Sequence, residues 1–153
     1  MAICKPTEIK GKLGRGEALL GLDVGAKTIG LAVSDIGFMV ASPTATIARK
    51  KFAADWLALE AIITDRQIGG LVIGLPIEMS GVEGPRAQSV RSFAAEILKR
   101  RDLPIAFWDE RLSTAAVQRM LTDEADLSRK RRAELVDKAA AGYILQAMLD
   151  AVR

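Results

Sequence analysis

Histidine is absent from the 153-residue chain, and cysteine occurs once, at Cys4. The first absence excludes Ser-His-Asp and Cys-His nucleophile pairs, His general bases and His-ligated zinc. The second excludes an internal disulfide and a thiolate zinc site. Enzyme chemistry has to come from carboxylates, lysine, tyrosine, hydroxyls or an oxygen-ligated cation such as Mg²⁺. Aromatic residues make up only 5% of the chain. Most of them fall on faces that read as core, which disfavours a reader of single strands by base stacking. No apolar run approaches the ~18–20 residues of a membrane span, and Met1 to Glu17 has no apolar stretch of a secretory signal. A cytoplasmic protein without a membrane partner is expected.

Half of the residues are hydrophobic and 27% are charged, an ordinary globular composition. The length suits one domain, placed at 18–153, preceded by a flexible extension over 1–17 with glycines among lysines and arginines. The net charge of +3 is a weak pointer to an anionic partner. Its distribution says more, because basic residues concentrate at Lys99-Arg100-Arg101 and Arg129-Lys130-Arg131-Arg132.

Ala18 to Leu22 reads as a buried strand ending at Asp23-Val24-Gly25. Thr28 to Val33 follows after a short turn and makes a hairpin with it. Val40 to Ile47 is a weaker strand whose Pro43 places it at an edge. Phe52 to Gln67 has helical spacing of Phe52, Trp56, Leu59 and Ile63, and Gly69-Gly70 stops it. Leu71 to Ile73 is a short apolar strand. After a loop over 77–84, Pro85 to Arg101 is a helix with Pro85 in its first turn. Pro104 to Trp108 is a fifth strand. Ser113 or Thr114 caps a helix through Val117, Met120 and Leu121, a polar loop spans 123–130, and Arg131 to Val152 is a long last helix. The order predicts a mixed five-stranded sheet with helices on both faces, with right-handed parallel crossovers.

In open α/β sheets ligands bind beyond the carboxyl ends of the strands. Asp23 stands just past the first strand, and Asp109 and Glu110 just past the fifth. Asp137 lies beside the apolar stripe of the last helix, with Glu134 one turn earlier. Three carboxylates from distant segments can therefore meet. Each also has a plain alternative: a turn residue for Asp23, a surface pair with Arg111 for Glu110, a solvated helix position for Asp137. Clustered carboxylates repel one another and are tolerated around a divalent cation. Mg²⁺ or Mn²⁺ in such a site supports phosphodiester hydrolysis without histidine.

Four blocks resemble the YqgF family, also called RuvX or Holliday-junction-resolvase-like. They are Gly21-Leu22-Asp23-Val24-Gly25-Ala26-Lys27-Thr28-Ile29-Gly30 through Asp35; Val72-Ile73-Gly74-Leu75-Pro76 with Met79 and Gly81; Asp109-Glu110-Arg111-Leu112-Ser113-Thr114; and Val136-Asp137-Lys138-Ala139-Ala140-Ala141 with Ile144-Leu145-Gln146. They occur in the family's order and span about 19–149. The resemblance implies a ribonuclease H-like fold and a metal-dependent nuclease that matures the 5′ end of pre-16S ribosomal RNA. It implies Asp23, Glu110 and Asp137 as catalytic and metal-binding acids, with Mg²⁺ or Mn²⁺.

Two positions depart from the family's pattern. Lys27 stands where arginine is usual, replacing a bidentate phosphate contact by a point charge. Glu78 stands where an amide-type residue is common and is a rival to Glu110. Lys27, Arg86, Arg91, Arg111 and Arg129 to Arg132, including Lys130 and Arg131, are the candidate nucleic-acid contacts. A solvated linker is the alternative for the last run.

The partner is then structured RNA, or branched DNA if the chain is a junction resolvase. A resolvase would need a dimer across a two-fold junction; the sequence leaves monomer and homodimer open. A non-catalytic RNA-binding assembly factor is a further alternative, although such a protein gains nothing from acids beside phosphate. The first block also resembles the phosphate hairpin of actin-like ATPases and sugar kinases, which clamp a nucleotide between two copies of the fold; one copy is present here.

Overall fold

The computed structural model describes residues 3–112 and 129–153, with side chains of the last helix from Lys138 onward. The expected helix through Val117, Met120 and Leu121, its cap, and the loop 123–130 up to residue 128 lie outside the described residues. The elements are β1 (Ile3–Cys4), α1 (Pro6–Ile9), β2 (Ala18–Val24), β3 (Thr28–Ser34), β4 (Ala41–Ala48), α2 (Phe52–Asp65), β5 (Ile68–Leu75), α3 (Pro85–Arg100), β6 (Ile105–Asp109) and α4 (Arg129–Ala151). Single 3₁₀ turns follow α1 at Lys10–Lys12 and β6 at Glu110–Leu112.

The strands form one sheet in the order β1-β6-β5-β2-β3-β4. β1, β6, β5 and β2 run parallel, while β2–β3 and β3–β4 are antiparallel. β2 and β5 are buried along their whole length, as central strands covered on both faces must be. β4 is the edge, and Pro43 sits where its register against β3 shifts. A proline there removes no interior ladder bond.

Two helical layers cover the sheet. On one face Leu20, Leu22, Leu71, Ile73 and Ile105 pack with Leu59, Ile63, Val90, Phe93 and Ile97 of α2 and α3. On the other, Leu19, Ala32, Val72 and Ala106 pack with Ile9 of α1 and with Ala141, Ile144, Leu145 and Met148 of α4. This second face carries small residues at its centre, so α4 lies almost on the strand backbone. A Cβ on Gly21 would stand 2.8 Å from Leu145 Cβ and 3.2 Å from the Ala141 carbonyl.

Four features differ from the sequence reading. The sheet has six strands, because Ile3–Cys4 pairs in parallel with β6; two residues carry no periodicity to detect. Residues 3–13, expected as an extension, pack on the domain through fully buried Ile9 and partly buried Leu13. Gly69 and Gly70 do not stop α2 but lie inside β5, where a Cβ on Gly70 would press on Leu13, Leu19 and Ile9. The missing side chain is what lets the N-terminal segment cross. Finally, Asp23 lies within β2 and not beyond it, paired across the hairpin with Gly30.

Candidate active site

The site is built at the end of β2, β5 and β6 under α4. Gly21 faces α4, and alternation puts Asp23 on the same face two residues later. Asp23 is 2% exposed. The paired residues Leu22 and Ile73 are followed on their two strands by Asp23 and Gly74, so β5 presents a glycine beside the acid. A Cβ on Gly74 would stand 2.5 Å from Ile144 Cδ1 and 2.9 Å from Glu110 Oε1. The Glu110 carboxylate thus reaches from the turn after β6 over the bare backbone of β5, towards β2. In α4, position 137 is one turn N-terminal to Ala141, which itself lies over Gly21. The backbone therefore carries Asp137 towards the same end of β2 as Asp23. Among the described residues no three acids group closely enough to hold a metal ion; the Asp137 side chain lies outside them.

Glu78, the rival acid, takes a different place. It is exposed in the loop after β5, with Oε1 2.7 Å from where a Gly84 Cβ would be. With Arg86 it lines a cleft of about 190 Å³ at the start of α3. Asp109 is turned to Arg111, whose Nη2 donates to Oδ2 at 2.7 Å and whose Nε reaches both oxygens. Those side-chain bonds hold the Asp109 carboxyl below the usual carboxylate range against a partial desolvation. Asp35, at the end of the first block, accepts the Val40 and Met39 amides across the β3–β4 turn. These bonds lower its carboxyl in the same way, and its role is to close that turn.

The expected nucleic-acid contacts divide into three groups. Lys27, at the β2–β3 turn, and Arg86, in the first turn of α3, are exposed. Arg91 and Arg111 are engaged within the protein. Arg91 donates to both oxygens of Glu83 at 2.6 and 2.9 Å and lies 4.8 Å over the Phe107 ring. Arg111 also donates to the Glu78 carbonyl at 3.3 Å. Lys130, Arg131 and Arg132 belong to the first turn of α4 by backbone. The other basic run stays away from this end, Lys99 and Arg100 pairing with Glu96.

Sequence reasoning missed Arg49 and Asp55. Arg49 Nη1 donates to the Gly25 carbonyl at 2.7 Å, and Asp55, 2% exposed, lies 3.9 Å from Arg49 Nε. The available signal was an acid in the first turn of an apolar helix, preceded by a basic run.

A mixed sheet with a three-strand antiparallel meander, helices on both faces, and acids at the ends of its central and sixth strands defines a ribonuclease H-like protein. Solved structures agree on the fold. Thermus thermophilus RuvC in complex with a Holliday junction substrate superposes with a TM-score of 0.55 over 88% of this chain and 95% of that one, at 10% identity. RuvC of that organism in another structure gives a TM-score of 0.51, also at 10% identity. The model of the family described as RuvX, Holliday junction resolvase, matches residues 17–151, and the chain belongs to that family. A protein of Paramagnetospirillum magneticum named "Putative pre-16S rRNA nuclease" is 59% identical over 150 residues, covering 98% of this chain and 96% of its own. One of the same name from Rhodospirillum rubrum is 53% identical over 152 residues, covering 99% and 94%.

Proposed function

We propose that this protein is a divalent-metal-dependent endonuclease of the cytoplasm that matures the 5′ end of pre-16S ribosomal RNA. The observation that carries the reading is the buried Asp23 of the central strand, with Glu110 drawn over Gly74 on the same face. Two acids brought to one face at the strand ends repel each other, and a divalent cation between them offsets that repulsion. The donor set is all oxygen and fits Mg²⁺ or Mn²⁺. Asp23, Glu110 and Asp137 would hold the ion. When bound, it supplies an activated water and a stabilised leaving oxygen. Placement of Glu110 over the sheet, against Glu78 at the start of α3, supports Glu110 as the second acid.

The chain's own residues then bind and orient the substrate. Lys27 and Arg86 offer exposed charges to backbone phosphates. Arg91 and Arg111 exchange Glu83 and Asp109 for phosphate oxygens, and Lys130, Arg131 and Arg132, in the first turn of α4 by backbone, are the further candidate contacts. Such contacts read backbone and shape, which suits structured RNA. A second reading, cleavage of four-way DNA by a dimer, is favoured by the family's description and by the fold shared with RuvC.

The test is cleavage of matched pre-16S RNA and four-way-junction DNA in Mn²⁺, with Asp23→Asn in parallel. RNA cut by wild type alone supports the proposal. Cutting of the junction alone replaces it with the resolvase. Binding of RNA unchanged by Asp23→Asn, with neither substrate cut, replaces it with an assembly factor.

A further inference from the structure

The β2–β3 turn is closed by its own backbone, the Gly25 amide donating to the Thr28 carbonyl at 2.9 Å. It is nevertheless tied a second time, and from outside the hairpin. The Arg49 amide donates to the Lys27 carbonyl at 2.8 Å, and Arg49 Nη1 donates to the Gly25 carbonyl at 2.7 Å. The guanidinium is itself fixed on its far side. Its carbon lies 5.4 Å over the Phe93 ring of α3, and Nε lies 3.9 Å from Oδ2 of Asp55 in α2. Asp55 is buried. One of its oxygens accepts the Lys50 amide at 2.8 Å, and Oδ2 has no hydrogen bond among the described residues. The Arg49 charge is what offsets that buried oxygen. One side chain thus links a surface turn to two helices, and the turn it links carries Lys27.

We propose that Arg49 is a positioning residue, which holds the Gly25–Thr28 turn so that Lys27 meets a backbone phosphate of the nucleic acid bound at Asp23. This rests on the nuclease reading. A lysine is a flexible point charge, so its phosphate contact is only as well placed as its backbone. The planar fork of Arg49 reaches Gly25 and Asp55 together, which an ammonium group does not.

The test measures binding of the pre-16S 5′ leader RNA in EDTA, over a range of salt, for wild type, Lys27→Ala, Arg49→Gln, Arg49→Lys and the Lys27→Ala/Arg49→Gln double variant. Loss of one phosphate contact lowers the salt slope by about 0.7–0.9. Arg49→Gln is expected to show that decrease, as Lys27→Ala does, and the double variant to be no weaker than Lys27→Ala, the signature of one shared interaction. Arg49→Lys keeps a charge beside Asp55 and so guards against simple unfolding; it is expected to melt near wild type yet bind with the reduced slope. Hydrogen exchange should quicken at the Gly25 and Arg49 amides in both Arg49 variants while the Leu20 and Leu22 amides stay protected. An unchanged slope in the Arg49 variants overturns the proposal, as do additive losses, which would make Arg49 a separate contact. Either result leaves wild-type cleavage, and with it the nuclease reading, untouched.

Discussion

The Glu110 carboxylate lies over the bare Cα of Gly74, with Oε1 2.9 Å from where a Cβ would stand. The same Cβ would stand 2.5 Å from Ile144 of α4, so both neighbours occupy the space that the glycine leaves. Gly74→Ala must displace one or both. Overpacking of this kind costs about 1–3 kcal/mol. Cleavage by the folded enzyme should fall by about tenfold or more, since small displacements of a catalytic group cost that much. Urea titration and kcat on the same preparation separate the two effects. Full activity in a destabilised protein would mean that Glu110 is not held by this contact.

Residues 3–13 pack on the domain through Ile9, Cys4 and Leu13. Ile9 is fully buried with Leu19 and Leu149. Ile9→Ala should cost about 2–5 kcal/mol, as large-to-small changes in a core do. Urea denaturation with an unchanged m-value checks it. A loss below about 0.5 kcal/mol, the range of surface substitutions, would mean that the segment is only loosely applied.

Ser34 extends the link between β2 and β3. The backbone pairing of the two strands begins at Leu20 and Val33, and just beyond it the Leu19 amide donates to Ser34 Oγ at 2.8 Å. Ser34→Ala leaves that buried donor without its acceptor, at a cost of about 1–3 kcal/mol. Equilibrium unfolding measures the loss. Ser34→Thr, which keeps the hydroxyl, should recover part of it.

The Asp109–Arg111 pair gives a pH dependence of known sign. Hydrogen bonds from Arg111 lower the Asp109 carboxyl in the folded protein. A lowered folded value means that the stabilisation is complete above the unfolded pKa of about 3.9 and is lost as pH falls towards the folded one. The melting temperature of wild type should therefore fall more steeply below about pH 4 than that of Asp109→Asn. The difference should be small, because Arg111 is exposed. Parallel acid limbs would show that the pair contributes nothing.

Much of this arrangement was legible in the chain because its signals are local. Apolar runs at 18–22 and 71–73, helical spacing from Phe52 to Ile63, and Pro43 all point to the elements they form. Asp23 and Glu110 were legible as acids following apolar runs, although Asp23 proved to lie inside its strand, because the pairing with Gly30 that extends β2 past it is not a local signal. What escaped has no local signal. Ile3–Cys4 becomes a strand only because β6, about a hundred residues on, offers an open edge. Gly69-Gly70 looks like a helix stop, and only the crossing of Ile9 and Leu13 explains it as strand. Arg49 reads as part of a basic run, yet its partners are Gly25, Asp55 and Phe93, drawn from three elements.

The central claim is that Asp23, Glu110 and Asp137 form one carboxylate site for a divalent ion. Its most direct test is Mn²⁺ titration, by calorimetry or by the spin signal of the free ion, of wild type, Asp23→Asn, Glu110→Gln, Asp137→Asn and Glu78→Gln, with cleavage of pre-16S RNA measured on each. The account predicts that the first three substitutions each weaken Mn²⁺ binding by about tenfold or more and abolish cleavage, losses of the size seen when metal-site partners are removed. Glu78→Gln should leave both unchanged. Mn²⁺ binding that survives Asp23→Asn and Glu110→Gln but fails in Glu78→Gln would contradict it.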